Sequence, residues 1–178
     1  MANTGGTSES IVILAEYAQI KDEQRSRIGF RDNLLYVTLA AVTAVTTVAA
    51  QTEHPDLALA LPLICVVLGW TYLVNDEKIS SIGRYVRTQL EPKLAAVTGS
   101  GTTLFEWETF HRGDSRRWAR KTIQTVVDLI AFLVVPFAAL IAFWCYGRTS
   151  ETLLLVASGL EAAAVAGLGL QFLIYAER

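Results

Sequence analysis

Four long apolar stretches, at 34–50, 57–74, 123–146 and 153–175, divide this chain, and nearly every Lys and Arg lies in the segments on one side of them. Each stretch is close to the roughly 17–25 residues that an α-helix needs to cross a ~30 Å hydrocarbon core. A helix satisfies its backbone hydrogen bonds internally, which lipid demands of any segment it surrounds. The expected fold class is therefore all-α: a polytopic membrane protein with four transmembrane helices and cytoplasmic amphipathic helical extensions. Hydrophobic residues make up 52 % of the 178, but that average merges almost uncharged stretches with strongly charged ones. With about 80 residues in spans, little chain remains for a second large domain.

The distribution of positive charge orients the spans. Lys21, Arg25, Arg27 and Arg31 precede the first; nine basic residues from Lys78 to Lys121 lie between the second and third; Arg178 ends the chain. Only Arg148 falls in the alternate connections, 51–56 and 147–152. The positive-inside rule then puts both termini and the central segment in the cytoplasm, with the protein in the inner (plasma) membrane. The expected organisation is a cytoplasmic arm over 1–33, a first transmembrane hairpin over 34–75, a cytoplasmic helical segment over 76–122, a second hairpin over 123–175 and a tail over 176–178. Val48-Ala49-Ala50 loosely matches a cleavage site, but the long, partly acidic leader before it is unlike a secretory signal, so the first span is read as an anchor. Lipidation signals are not found. The net charge of −2 gives no reason to expect nucleic-acid binding.

Outside the spans, Ser8 or Ser10 is the expected cap of a helix that runs through 11–31 into the membrane, following an irregular segment 1–7. In the central segment, Ile79, Ile82, Val86 and Leu90 repeat at helical spacing. Pro92 is expected to end that helix, with a further turn over 93–97 and a break at Gly99-Ser100-Gly101. Phe105, Trp107 and Phe110, followed by Arg116 and Arg117, form a candidate surface for a cytosolic protein partner, and Trp118 reads as an interfacial anchor. The segment 71–87, TYLVNDEKISSIGRYVR, resembles a group of small uncharacterised four-span bacterial membrane proteins of actinobacterial type. The resemblance extends over about a third of the chain and implies membrane residence but no activity.

Asp128 and Glu161 are the acids placed within spans, where Asp or a basic residue costs about 2.5–3.5 kcal/mol at the helix centre. Glu161 is ninth in its stretch, near mid-span, and no Lys, Arg or His shares a span with it. It is expected to be protonated, hydrogen-bonded or facing a water-filled path. Asp128, near the cytoplasmic end of the third span, can instead reach the interface or pair with Arg120 or Lys121. Gly159, Ala163 and Gly167 recur every fourth residue as a helix-packing groove, and helical spacing turns Glu161 away from it. If the groove packs within the subunit, Glu161 needs a polar neighbour elsewhere, which favours a homo-oligomer. Thr43, Thr46 and Thr47 offer hydroxyls for such a junction. Pro136 is the hinge candidate, and Pro62 is read in the same way. Cys65 and Cys145 differ in depth by roughly 10 Å and are read as unbridged packing residues.

Catalytic signatures are weak. Glu108-x-x-His111 is one copy of an element that carboxylate-bridged metal sites use twice, and Ser158-Gly159 has no His in any span to activate it. Neither a Walker loop nor a dinucleotide fingerprint occurs. No catalytic residue, metal or cofactor is expected. The leading expectation is a non-enzymatic oligomer in the lipid bilayer that forms or controls a permeation path in response to a cytoplasmic signal or partner. Two alternatives are a non-conducting anchor that recruits a cytosolic protein and a proton-coupled small-solute transporter that uses Glu161.

Overall fold

The computed structural model describes residues 4–100, 104–105, 117–147 and 150–176, and every regular element among them is helical. Four helical segments are long and apolar enough to cross a membrane: Gly6–Thr52, Pro55–Thr98, Ala119–Tyr146 and Thr152–Tyr175. The first is a single helix, α1 (Thr4–Thr52), unbroken because no proline interrupts it. It begins inside the segment expected to be irregular. Ser10 does not cap it; its hydroxyl donates back to the Thr7 carbonyl at 2.9 Å. The helix stops where Glu53 takes a left-handed φ of 55° shortly before Pro55.

Prolines shape the remaining helices in two ways. A 3-10 turn, Pro55–Leu59, leads into α2 (Ala60–Tyr85). Pro62 therefore sits in the first turn of α2, close to the change from 3-10 to α geometry. Pro92 does not end its helix. A π-helical turn, Val86–Leu90, joins α2 to α3 (Glu91–Thr98), and Pro92 lies in the first turn beyond it. The same arrangement recurs around Pro136: a π turn, Ile130–Val134, joins α4 (Arg117–Leu129) to α5 (Val135–Tyr146). A π turn carries wider i→i+5 bonding, which relieves the clash of the proline ring with the carbonyl four residues earlier. Gly99, with φ 65°, ends α3, and the Ser100 N–H donates to the Ala95 carbonyl at 3.2 Å. The last helix is α6 (Thr152–Ala176).

The chain divides into two compact units. The first draws its described residues from Met1–Phe30 and Asn75–Ala119. Its core is Ile13, Leu90 and Leu94, flanked by Tyr17, Tyr85, Val97, Leu104 and Phe105. The Ile79/Ile82/Val86/Leu90 stripe supplies the deeply buried Val86 and Leu90. Polar contacts join α1 to α2 within this unit: Asn75 Nδ2 donates to the Arg27 carbonyl at 2.6 Å, and Gln24 Nε2 to the Ile79 carbonyl at 3.2 Å.

The second unit takes Arg31–Val74 and Arg120–Arg178. Tyr72, Phe132 and Phe172 meet with ring centroids 5.2–6.4 Å apart, inside a cluster completed by Leu34, Leu73, Ala131 and Leu168. Leu59, Leu140 and Phe143 form a further cluster. α5 and α6 run antiparallel, since Phe132 stacks on Phe172 while Trp144 Nε1 donates to Ser158 Oγ at 2.9 Å. Close approach near the aromatic cluster depends on Gly69: a Cβ there would lie 2.8 Å from Leu168 Cδ2 and 2.9 Å from the Phe132 ring. Cys65 is fully buried and Cys145 is exposed.

These contrasts generate one prediction. Gly69→Val overpacks a site whose neighbour is a fully buried ring and should destabilise the detergent-solubilised protein by about 1–3 kcal/mol. Gly29→Ala, at a helical position with open space around it, should instead stabilise it by roughly 0.5–1 kcal/mol. Thermal unfolding followed by circular dichroism measures both, and equal effects would contradict the packing described.

Candidate functional site

Asp128 is the most buried acid of the described residues, 7 % exposed on α4. One turn earlier, Gln124 Nε2 donates to Asp128 Oδ1 at 3.0 Å and to Tyr72 Oη at 2.8 Å. A carboxylate, an amide and a phenol thus cap the edge of the aromatic cluster with hydrogen bonds. The four-residue spacing of Gln124 and Asp128, which puts both on one helix face, is the sequence signal for this contact.

Glu161 occupies a different layer. Its neighbour Ala162 packs on the Leu59/Leu140/Phe143 cluster. Its Oε2 is buried and finds no hydrogen-bond partner among the described residues. Leu168 meets Phe132 at the level of Gly69; Asp128 lies four residues from there along α4 and Glu161 seven residues in the other direction along α6. About 16 Å of helix rise separates the two acids, too far for direct proton exchange.

The inward face of α6 consists of Ser158, Val165, Leu168 and Phe172, all buried, with Glu161 half-buried beside them. Gly159, Ala163 and Gly167 point outward, and a Cβ at either glycine would meet nothing within 4 Å. The small-residue stripe is therefore exposed among the described residues. Helical spacing identified a stripe but could not tell which side would be covered. Ser158 accepts from Trp144 and donates to the Leu155 carbonyl at 2.9 Å. Thr43 and Thr46 donate to their own backbone, at Leu39 and Val42, as hydroxyls in helices commonly do.

Of the candidate partner surface, Phe105 stacks on Tyr17 with centroids 4.2 Å apart, so it is part of a core. Trp107, Phe110, Arg116 and the Glu108/His111 pair lie outside the described residues, as do the side chains of Arg117 and Trp118. Among the described residues, no three His, Cys, Asp or Glu side chains come together to hold a metal ion. The Tyr85 hydroxyl donates to Glu16 at 2.7 Å, and this hydrogen bond, more than its slight burial, holds the phenol above its ordinary range. The contact is present at neutral pH and is lost only as pH rises through the elevated folded-state value. Arg87, on the π turn, keeps a buried Nη1 without a hydrogen-bond partner among the described residues.

No family model, curated protein or solved structure matches the chain. The resemblance of 71–87 to small bacterial membrane proteins accordingly carries no functional argument.

Removing the amide that holds Asp128 tests this cluster. Gln124→Leu should destabilise the solubilised protein by about 1–3 kcal/mol, because a buried carboxylate loses a donor. Adding Asp128→Leu should recover part of that loss. Strict additivity in a double-mutant cycle would mean the two side chains do not interact.

Proposed function

We propose that the four apolar helices cross a bilayer with both termini and 76–122 in the cytoplasm, and that copies of the chain assemble into an oligomer that forms or controls a permeation path. The observation that carries this reading is Glu161 Oε2, enclosed on a mostly apolar helix without a hydrogen-bond partner among the described residues. An acid at mid-span is costly to place and is generally tolerated where it faces water, an ion or a polar group of another subunit. A junction between copies supplies that environment. The outward Gly159/Ala163/Gly167 stripe on the same helix offers a surface on which a helix can approach closely.

Liposomes containing the purified chain should show an ion or proton leak above that of empty liposomes. Glu161→Gln, which keeps the shape but removes the ionisable group, should change it by about tenfold or more. Absence of flux across a range of pH, voltage and ionic conditions would contradict the proposal.

A second reading, a non-conducting anchor for a cytosolic protein, is favoured by a separate observation. Ile11, Val12 and Leu14 in the first unit are 62 %, 64 % and 48 % exposed, although they lie outside the apolar span of α1. Contiguous exposed apolar residues are characteristic of interaction surfaces. In-cell crosslinking of the full chain should give an adduct that is lost in the Ile11→Glu, Val12→Glu variant. Identical adducts from both chains would count against recruitment through this face.

A further inference from the structure

The second unit carries a groove of about 570 Å³ between the end of α1, the turn that follows it and α5. Six alanines, Ala138 and Ala142 among them, make its walls shallow and apolar. Thr46 also lines it, and its hydroxyl is satisfied by the Val42 and Thr43 carbonyls. The groove extends from Val45 to Glu53 on one side and from Val135 to Tyr146 on the other, about 12–16 Å at 1.5 Å per residue. That is close to half of a ~30 Å hydrocarbon core, the depth of one leaflet.

One end of the groove is charged. Glu53 lines it and makes neither an ion pair nor a hydrogen bond among the described residues. Its left-handed φ of 55° is the conformation in which a helix terminus ordinarily carries glycine, yet this chain places a carboxylate there. Tyr146, 80 % exposed, stands at the same end of the groove. An apolar trough one leaflet long with an anionic mouth is complementary to an apolar chain with a cationic head.

We infer that this groove holds one acyl chain of a bilayer phospholipid whose headgroup bears an ammonium, with the ammonium against Glu53. The inference rests on the reading that the four helices span a bilayer. A lipid is the partner that a bilayer supplies in excess at this position.

Native mass spectrometry of the full chain in detergent, with phosphatidylethanolamine and phosphatidylglycerol of identical chains supplied together, tests the assignment. The wild type should retain one lipid, with ethanolamine favoured about two- to fivefold, as expected for an exposed ion pair. Glu53→Lys should reverse the preference, and Ala142→Trp, which fills the trough, should abolish retention. If Ala142→Trp does not fold, Ala138→Leu narrows the same trough and should reduce retention. Equal retention of both lipids in the wild type and in Glu53→Lys overturns the inference, as does undiminished retention in the filled variants. A change in oligomer mass on filling, with the lipid count unchanged, assigns the groove to a second copy and overturns it too. Failure of the membrane reading is distinct, since the chain would then stay soluble without detergent.

Discussion

Large apolar side chains stand mostly exposed on the outer faces of the four long helices. Leu153 is 80 % exposed, Leu160 69 %, Ile123 65 % and Leu63 59 %. In water each would forfeit the ~1.5–3 kcal/mol that burial of such a side chain provides; in lipid none does. The most apolar part of α1 is only 11 % buried, against 39 % for the corresponding parts of the second and third segments. Among the described residues, the chain leaves these faces largely uncovered, and the proposals above supply lipid or other copies as their cover.

Internally, the second unit is organised as layers. Tyr72, Phe132 and Phe172 interlock, with Gly69 providing the space, and Asp128 with Gln124 closes one edge by hydrogen bonding. A second apolar layer around Phe143 has Glu161 next to it. The two acids thus differ in kind. Asp128 is held by neighbours that belong to the fold, whereas an enclosed oxygen of Glu161 lacks a hydrogen-bond partner among the described residues. Hydrogen-bond satisfaction is a sharper guide to chemistry than position in a span, because an enclosed polar atom left unpartnered is costly.

The four apolar helices were legible because length and hydropathy are properties of contiguous sequence. The Ile79/Ile82/Val86/Leu90 stripe was legible through its period, although its burial comes from contacts with α1 that are distant in sequence. Pro92 reads as a helix end and Pro136 as a hinge because regular i→i+4 bonding cannot accommodate a proline, and nothing local announces the π turns at Val86–Leu90 and Ile130–Val134 that precede them. The direction of the Gly159/Ala163/Gly167 stripe was ambiguous for a related reason. Periodicity groups residues onto a face, but which face turns inward depends on partners such as Phe132 and Leu140. The groove with Glu53 escaped notice because it joins segments about 90 residues apart, and alanines give no pattern of their own.

The central claim is that lipid covers the apolar faces of these helices. Alkaline carbonate extraction of membranes from cells expressing the chain tests it most directly. The protein should stay wholly in the membrane pellet and enter solution only with detergent. Recovery in the carbonate supernatant as a folded, helical and detergent-free protein would contradict it.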